Sequence, residues 1–367
     1  MRHLSALHTF YRGKRVLITG HTGFKGGWLA FWLQTLGAEV IGYALPPSTV
    51  PSFFDAVKLN KKINSILGDI RNSELLESVF RQYKPEIVFH LAAQPLVRYS
   101  YREPVETYET NVMGTVRVLE ACRATPFVRA VVNITSDKCY EDTKQKKSYR
   151  EDDPMGGYDP YSSSKGCAEI ITQAYIRSYF NPEEAPSKQK CSLASARAGN
   201  VIGGGDFAPD RLVPDCIRAF EAQKPIVIRY PDAVRPWQHV LEPLYGYLLL
   251  AQHLYEGGRT FSGGWNFGPN DEDRKPVQEI VEQIIRLWGE INSWQIDPSN
   301  PPYEALYLAL DCSKAKKRLV WSPQWDINSA LEKTVAWYKA FSQNEDMQRM
   351  TLQQISIYEQ CLGTSRV

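Results

Sequence analysis

The chain has 367 residues, enough for one large or two ordinary domains with an ample core. Its 43 Lys and Arg against 41 Asp and Glu leave a net charge of +2 without a long basic block, which argues against nucleic acid or a membrane as the main partner. Seven scattered cysteines form no Cys-x-x-Cys pair, so neither a zinc site nor a disulfide framework is expected; the odd count and the absence of a leader-like segment point to reduced thiols in a cytoplasm.

The first predicted strand, Arg15–Gly20, holds the apolar run Val16-Leu17-Ile18. It leads through Gly20-His21-Thr22-Gly23-Phe24-Lys25-Gly26 into a helix carrying Trp28, Leu29 and Leu33. Glycines here let the backbone turn tightly and approach a pyrophosphate, whose charge then faces the helix N-terminus. The same glycines read alternatively as helix-on-sheet packing, and their spacing is three-and-three, not the two-and-three of the basic dinucleotide fingerprint. Further strands are predicted at Ala38–Tyr43, Asn64–Gly68, Glu86–Ala92, Val128–Thr135 and Cys191–Arg197, with helices between most of them. Such alternation argues for an α/β fold with a parallel sheet covered on both faces.

The strand ends carry the candidate cofactor residues. Strand two ends at Gly42-Tyr43-Ala44-Leu45 without the acidic residue expected to bind an adenosine ribose, and Asp55 lies too far along to replace it. No arginine stands there to read a 2′-phosphate, so NAD is favoured over NADP. Asp69 follows Leu67-Gly68 and reads equally as an acceptor for an adenine amino group or as a helix-entry residue before Asn72-Ser73. Ala92-Ala93-Gln94 ends strand four with small side chains that leave room for a cofactor, and Asn111 on the next helix is either an orienting polar group or a surface residue.

Ser136 closes strand five, and 25 residues later comes Tyr161-Ser162-Ser163-Ser164-Lys165. A four-residue spacing is about one helical turn, so the phenol and the ammonium share a face. An ammonium beside a phenol lowers its pKa and makes it a usable proton acceptor. Tyr140 and Lys144 repeat the spacing within a charged stretch that reads as a solvated loop; placement on a helix after a Ser-ending strand selects Tyr161. Glycine turn, strand-end Ser, Tyr and Lys together imply a nicotinamide dinucleotide acting on an alcohol or ketone.

Beyond Asn200 the pattern turns irregular, with Gly203-Gly204-Gly205, several prolines and helices near Glu279–Trp288 and Ser329–Phe341. This suits a smaller lobe. The expected division is a dinucleotide-binding domain over residues 1–200 and a smaller substrate lobe over 201–367, with some segments returning to the first sheet. Pro46–Pro51 and Lys144–Lys147 read as surface loops.

These features together resemble the extended short-chain dehydrogenase/reductase family, and within it the nucleotide-sugar 4,6-dehydratases. The carrying residues are Gly20, Gly23 and Gly26, Gly68-Asp69, Leu91-Ala92-Ala93-Gln94, Asn111-Val112-Met113-Gly114-Thr115, Thr135-Ser136-Asp137-Lys138, and Tyr161 with Lys165. Later, Arg197-Ala198-Gly199-Asn200-Val201-Ile202-Gly203 and Arg235-Pro236-Trp237-Gln238-His239-Val240 resemble the substrate-lobe motifs. The stretches Gly20–Trp28 and Thr135–Tyr140 look most like the members acting on CDP-glucose.

The resemblance implies a Rossmann-type doubly wound sheet with a smaller mixed α/β lobe. It also implies NAD as a recycled cofactor, and CDP-glucose turned into CDP-4-dehydro-6-deoxy-glucose plus water, a step feeding deoxysugars of surface polysaccharides. Cofactor contacts carried over are Gly20, Thr22, Gly23, Phe24, Gly26, Asp69, Ile70, Leu91, Ala92, Ala93, Asn111, Tyr161 and Lys165. Substrate contacts are Gln94, Ser136, Asn200, Arg211, Arg235, Glu304 and Tyr307. A guanidinium fork matches phosphate oxygens, although Arg211 fits an exposed surface charge equally well; Trp237 reads as core packing.

In the family mechanism Tyr161 takes the sugar 4-hydroxyl proton while Ser136 hydrogen-bonds the same oxygen. Asp137 and Lys138 stand where the acid and base for elimination belong. Many relatives have Asp-Glu there, so Lys138 is a departure that requires a depressed pKa. The pair reads otherwise as a turn capping strand five. An epimerase or decarboxylase on the same scaffold, or a dinucleotide-sensing regulator with a dead site, are the competing readings. A homodimer through helices near Pro104–Ala124 and Tyr158–Phe180 is also implied.

Overall fold

In the computed structural model residues 2–180, 191–289, 293–299 and 306–364 are described. Strands β1 (Arg15–Thr19), β2 (Glu39–Ala44), β3 (Asn64–Leu67), β4 (Ile87–His90), β5 (Ala130–Ile134) and β6 (Ser192–Ala198) match the expected ones to within a few residues. They form a seven-stranded sheet in the order Gly263–Phe267, β6, β5, β4, β1, β2, β3, and every neighbouring pair is parallel. The short apolar runs suit this arrangement, because a parallel sheet is covered on both faces. Alternate residues accordingly feed two cores: Val16 and Ile18 of β1 face one, Leu17 the other.

On one face the helix Phe24–Thr35 is buried from Gly26 to Leu33, and Trp28 stacks on Phe53 at 5.1 Å. A helix this apolar on all sides needs cover opposite the sheet. The C-terminal helix Met347–Thr364 supplies some of it, with Trp32 Nε1 donating to Glu359 at 2.8 Å. On the other face Leu76, Val79 and Phe80 of helix Ser73–Tyr83 pack with Val118, Leu119 and Cys122 of helix Gly114–Ala124.

Strand order reverses between β1 and β4, which opens a crevice at their carboxyl ends. The lobe that faces this crevice is built from short pairs: Val201–Ile202 with Gln238–His239, Ile226–Ile228 with Trp294–Ile296, and Val234–Pro236 with Arg274–Pro276. The chain then returns to the first layer. Helix Leu241–Gly257 lies against β5 and β6, and Gly263–Phe267 adds the seventh strand beside β6.

One local expectation fails. Tyr140 is 3% exposed, not part of a solvated loop; its hydroxyl donates to Asn266 Oδ1 at 2.7 Å and its ring stacks on Tyr149 at 4.9 Å. Of the run after it, Lys144, Gln145 and Lys146 are exposed as expected, whereas Lys147 is half-buried and pairs with Asp153 at 2.9 Å. All seven cysteines are free thiols. No helix among the described residues is long and apolar enough to cross a membrane.

Candidate active site

A cavity of about 770 Å³ fills the crevice between the sheet and the second lobe. Its floor is the glycine turn. Gly20 adopts φ +81°, and a Cβ there would stand 2.7 Å from Ala92 N. A Cβ on Gly26 would come within 2.1 Å of Gly20 O, so the turn closes only with glycine at both places. Gly23 differs: its Cβ would meet only Gly20 O at 3.4 Å and would otherwise project into open space. Gly23 is also the cap of helix Phe24–Thr35 and offers no side-chain acceptor. The first amides of that helix are therefore left for an anion, and the open space at Gly23 is where a pyrophosphate fits. These features fit a dinucleotide.

Thr22 secures the turn by donating to Leu45 O at 2.8 Å. Beyond it the cavity is lined by Ala44, Leu45, Pro46, Ser48 and Thr49, so the expected surface loop borders the site and brings hydroxyls rather than a carboxylate to that end of it. Asp55 is elsewhere, taking a hydrogen bond from Ser52 at 2.6 Å. Asp69 and Ile70 line the cavity. Asp69 does not cap the next helix, a task Asn72 performs toward Leu75 N at 3.1 Å. Burial pulls the Asp69 carboxyl upward, but hydrogen bonds from Arg71 hold it below its ordinary value.

A buried polar chain braces the wall behind Leu91, Ala92 and Ala93. Thr115 Oγ1 donates to Asn111 O at 2.7 Å and therefore accepts from His90 Nε2 at 3.1 Å. His90 Nδ1 is then the acceptor for Thr19 Oγ1 at 2.7 Å, whose oxygen takes Leu91 N and Ala92 N at 3.2 Å each. The tautomer follows from this network, and burial with Lys165 nearby pushes His90 down to about 3, so the ring is neutral. Asn111 is 2% exposed and orients its surroundings. It accepts from Gln94 N at 2.8 Å and donates to Gln94 O at 3.0 Å and Ser164 Oγ at 2.9 Å. It sits in a π-helical turn, Glu109–Met113, a distortion common at functional sites.

The helix Pro160–Ser178 places the predicted pair. Asp159 caps it by accepting from Ser162 N at 2.9 Å, and Pro160 occupies its first turn. Tyr161 and Lys165 consequently face the cavity together with Ser136, Asp137 and Lys138, which follow β5. Ser136 Oγ donates to Asp137 Oδ1 at 3.0 Å and accepts from Lys138 N at 3.2 Å. The expectation that Lys165 lowers the Tyr161 phenol is not met. Burial dominates and pushes the phenol up to about 12; a hydrogen bond with Ser136 and the charge of Arg211 only partly offset it. Burial also presses Lys165 down to about 8.

Asp137 is 3% exposed, and its Oδ2 is buried without a hydrogen-bond partner. Burial raises its pKa against the opposing charges of Lys138, Arg235 and Lys25. A carboxyl in that position keeps its proton to a higher pH than an exposed one.

From the second lobe the cavity receives Asn200, Arg211 and Arg235. Arg211 is not a loose surface charge: Asp206 anchors it at 2.8 Å, close enough to Tyr161 to act on its phenol. Arg235 is 6% exposed. Gln94 lines the cavity, yet its amide is committed to Thr107 Oγ1 at 2.9 Å and to Leu96 N at 2.5 Å, bracing the turn after β4. Tyr307 bridges Val234, next to Arg235, and is absent from the cavity lining. Glu304 lies outside the described residues. Trp237 is buried, as expected of a core residue, with its edge at the cavity.

Three cations escaped the sequence reading. Lys25 of the glycine turn enters the cavity, where burial and the charges of Lys165 and Arg211 push it down to about 7. Its position inside the motif was a usable signal. Arg98 and Arg229 also line the cavity, and both are held by Asp210, through its carboxylate at 2.8 Å and its carbonyl at 3.2 Å. Nothing local in the sequence marks those two.

A family model described as GDP-mannose 4,6 dehydratase matches residues 17–334. CDP-glucose 4,6-dehydratase of Salmonella typhimurium is 55% identical, covering 95% of this chain and 97% of its own length. Among solved structures, an epimerase from Methanothermobacter thermautotrophicus superposes with a TM-score of 0.78 at 23% identity, covering 93% of this chain and 96% of that one. The NAD complex of dTDP-glucose 4,6-dehydratase from Bacillus anthracis superposes at 0.72 and 24% identity, covering 92% and 100%. The last two establish the fold; the family model and the 55% identical relative place this chain in the GDP-mannose 4,6-dehydratase family of nucleotide-sugar dehydratases.

Proposed function

We propose that the protein is an NAD-dependent lyase that converts CDP-D-glucose into CDP-4-dehydro-6-deoxy-D-glucose and water. The observation that carries dehydration is Asp137: a buried carboxyl with its pKa raised and one oxygen unpartnered, beside Ser136 and within reach of the field of Tyr161. Epimerisation at C4 needs the Tyr161–Lys165 pair but no acid poised to protonate a leaving hydroxyl. The CDP preference is supported by the 55% identical relative.

On this reading the glycine turn and the open helix end hold the cofactor pyrophosphate, and Ser48 and Thr49 meet a ribose. No cation at the end of β2 lines the cavity to receive a 2′-phosphate, which favours NAD. Arg98, Arg211, Arg229 and Arg235 face the substrate diphosphate. Tyr161, ionised to the phenolate that the charge of Arg211 favours, accepts the 4-hydroxyl proton while Ser136 holds that oxygen. Bound NAD supplies the hydride acceptor for C4 and the donor for C6, and in its oxidised form adds positive charge to the cavity. The C4 ketone acidifies the C5 proton, which Lys138 removes and gives back to C5 when the hydride returns to C6. Asp137 donates its proton to the C6 hydroxyl, which leaves as water, so the overall change is loss of one water without net oxidation.

The exposed apolar residues Val105, Met113 and Ile170 on the helices around the site support a homodimer through that face. The free cysteines and the absence of a membrane-crossing helix among the described residues accord with a cytoplasmic enzyme. The test is incubation with CDP-, UDP-, GDP- and dTDP-glucose and catalytic NAD, followed by mass spectrometry. The expected result is loss of one water from CDP-glucose in preference to the others. A product of unchanged mass and inverted C4 would overturn dehydration.

A further inference from the structure

Behind the Tyr161–Lys165 pair lies a carboxylate for which the reaction above has no use. Glu169 stands one helical turn past Lys165 and two past Tyr161, so the three share a face of the helix Pro160–Ser178. It is 1% exposed, and both of its oxygens are fully engaged. Oε1 accepts from Thr135 Oγ1 and from Arg197 Nε at 2.9 Å; Oε2 accepts from Ser195 Oγ at 2.6 Å and Arg197 Nη2 at 2.8 Å. Thr135 is the residue before Ser136, whereas Ser195 and Arg197 belong to β6. One side chain thus ties the helix bearing Tyr161 to the carboxyl ends of two strands. Arg197 extends the tie to Tyr140 Oη at 2.6 Å and Glu151 O at 3.1 Å. Apolar packing would join helix and sheet without the desolvation cost that a buried ion pair carries.

We propose that Glu169 is a positioning residue for the oxidising pair: it fixes the Thr135–Ser136 strand end against the helix and supplies the negative charge that keeps Lys165 an ammonium ion. This rests on the reading of Tyr161 and Lys165 given above. The groups facing Lys165 are Glu169 on its own helix, Cys139 after β5, His90 of β4 and Lys25 of the glycine turn. Burial lowers Lys165, and Glu169 is the foremost group opposing it. Burial pushes the Cys139 thiol far upward, so it stays uncharged, and His90 is neutral; Glu169 is therefore the anion. Glu169 itself faces Arg197, Cys139 and Lys314. Burial works against its ionisation, but Arg197 together with Ser195 and Thr135 holds its carboxyl below the ordinary value.

Removing the anion disfavours the ammonium form, so the pH above which Lys165 loses its proton moves down. The measurement is the pH profile of C4 oxidation in single turnovers. In Glu169→Gln the alkaline limb is expected to fall by about one pH unit or more, and Glu169→Asp to restore it. Because Glu169→Gln strands Arg197, the pair Glu169→Gln with Arg197→Met removes both charges and is expected to show the same displacement. Thr135→Val keeps both charges; its limb is expected to stay in place while the rate falls roughly tenfold from loss of alignment. A limb at the wild-type pH in either folded Glu169→Gln protein would overturn the proposal. So would Thr135→Val at full rate, or with a limb displaced as far as that expected for Glu169→Gln, a result that decides even where the charge variants do not fold. Near-normal turnover in Tyr161→Phe would instead remove the underlying reading, which an unmoved limb beside an inactive Tyr161→Phe leaves standing.

Discussion

On the wall formed by β1, β4 and the helix Phe24–Thr35, Lys25 reaches in but backbone is otherwise widely presented: glycine at 20, 23 and 26, alanine at 92 and 93, and an uncapped helix end. On the facing wall, long charged side chains reach in from short and irregular elements, with Arg211 and Arg98 pinned by Asp206 and Asp210. The first wall selects its ligand by shape, because a Cβ at Gly26 would collide with Gly20 O. The second selects by charge, and a guanidinium on a pinned stem tolerates variation in what it grips. Tyr161, Asp137 and Lys138 sit at the seam, where burial raises the proton affinity of the Tyr161 phenol and the Asp137 carboxyl.

Substitutions at the seam test that division with the largest effects. Tyr161→Phe spares the ring and removes only the proton acceptor, so turnover is expected to fall about 10²–10⁴-fold with cofactor and substrate affinity retained. Steady-state kinetics alongside equilibrium binding checks this, and near-normal turnover sinks the assignment. Asp137→Asn and Lys138→Met are expected to oxidise C4 and then stall, since water loss lacks its acid or base. Stopped-flow absorbance should show reduced cofactor accumulating while the deoxysugar fails to appear. Complete dehydration by both variants at wild-type thermal stability would return Asp137-Lys138 to a simple turn.

The two walls themselves should fail differently. Gly26→Ala forces a methyl group onto backbone, a type of overpacking that costs about 1–3 kcal/mol, and the loss is expected in cofactor affinity with little dependence on salt. Arg235→Met removes a charged hydrogen-bond donor worth about 1.5–3 kcal/mol, and is expected to raise the substrate KM roughly tenfold to a hundredfold, with the wild-type advantage shrinking as ionic strength rises. Calorimetric titration of each ligand at two salt concentrations separates the cases. An equal loss for both ligands in both variants would abolish the distinction.

The same contrast governs what the sequence revealed. The glycine turn, the six strands and the Tyr161–Lys165 pair were legible because sterics and helical period write them into adjacent residues. The seventh strand, Gly263–Phe267, was not marked because Gly263, Gly264 and Asn266 break its apolar run, and only pairing with β6 makes it a strand. Arg98 and Arg229 were missed because their role arises from distant chain segments meeting at Asp210. Tyr140 misled because its charged successors disguise a tyrosine held by Asn266 and Arg197. The phenol pKa misled for another reason: spacing reports which charges are near, but not how completely water is excluded, and at Tyr161 exclusion outweighs charge.

On the proposed reading, one cavity performs both redox steps on the same sugar, with elimination between them. CDP-glucose carrying deuterium at C4, supplied with NAD far below the substrate concentration, tests it directly. The prediction is a 4-dehydro-6-deoxy product with the deuterium on C6 and no net reduced cofactor. Deuterium found in accumulated reduced cofactor, or retained at C4 of an epimerised sugar, would contradict it.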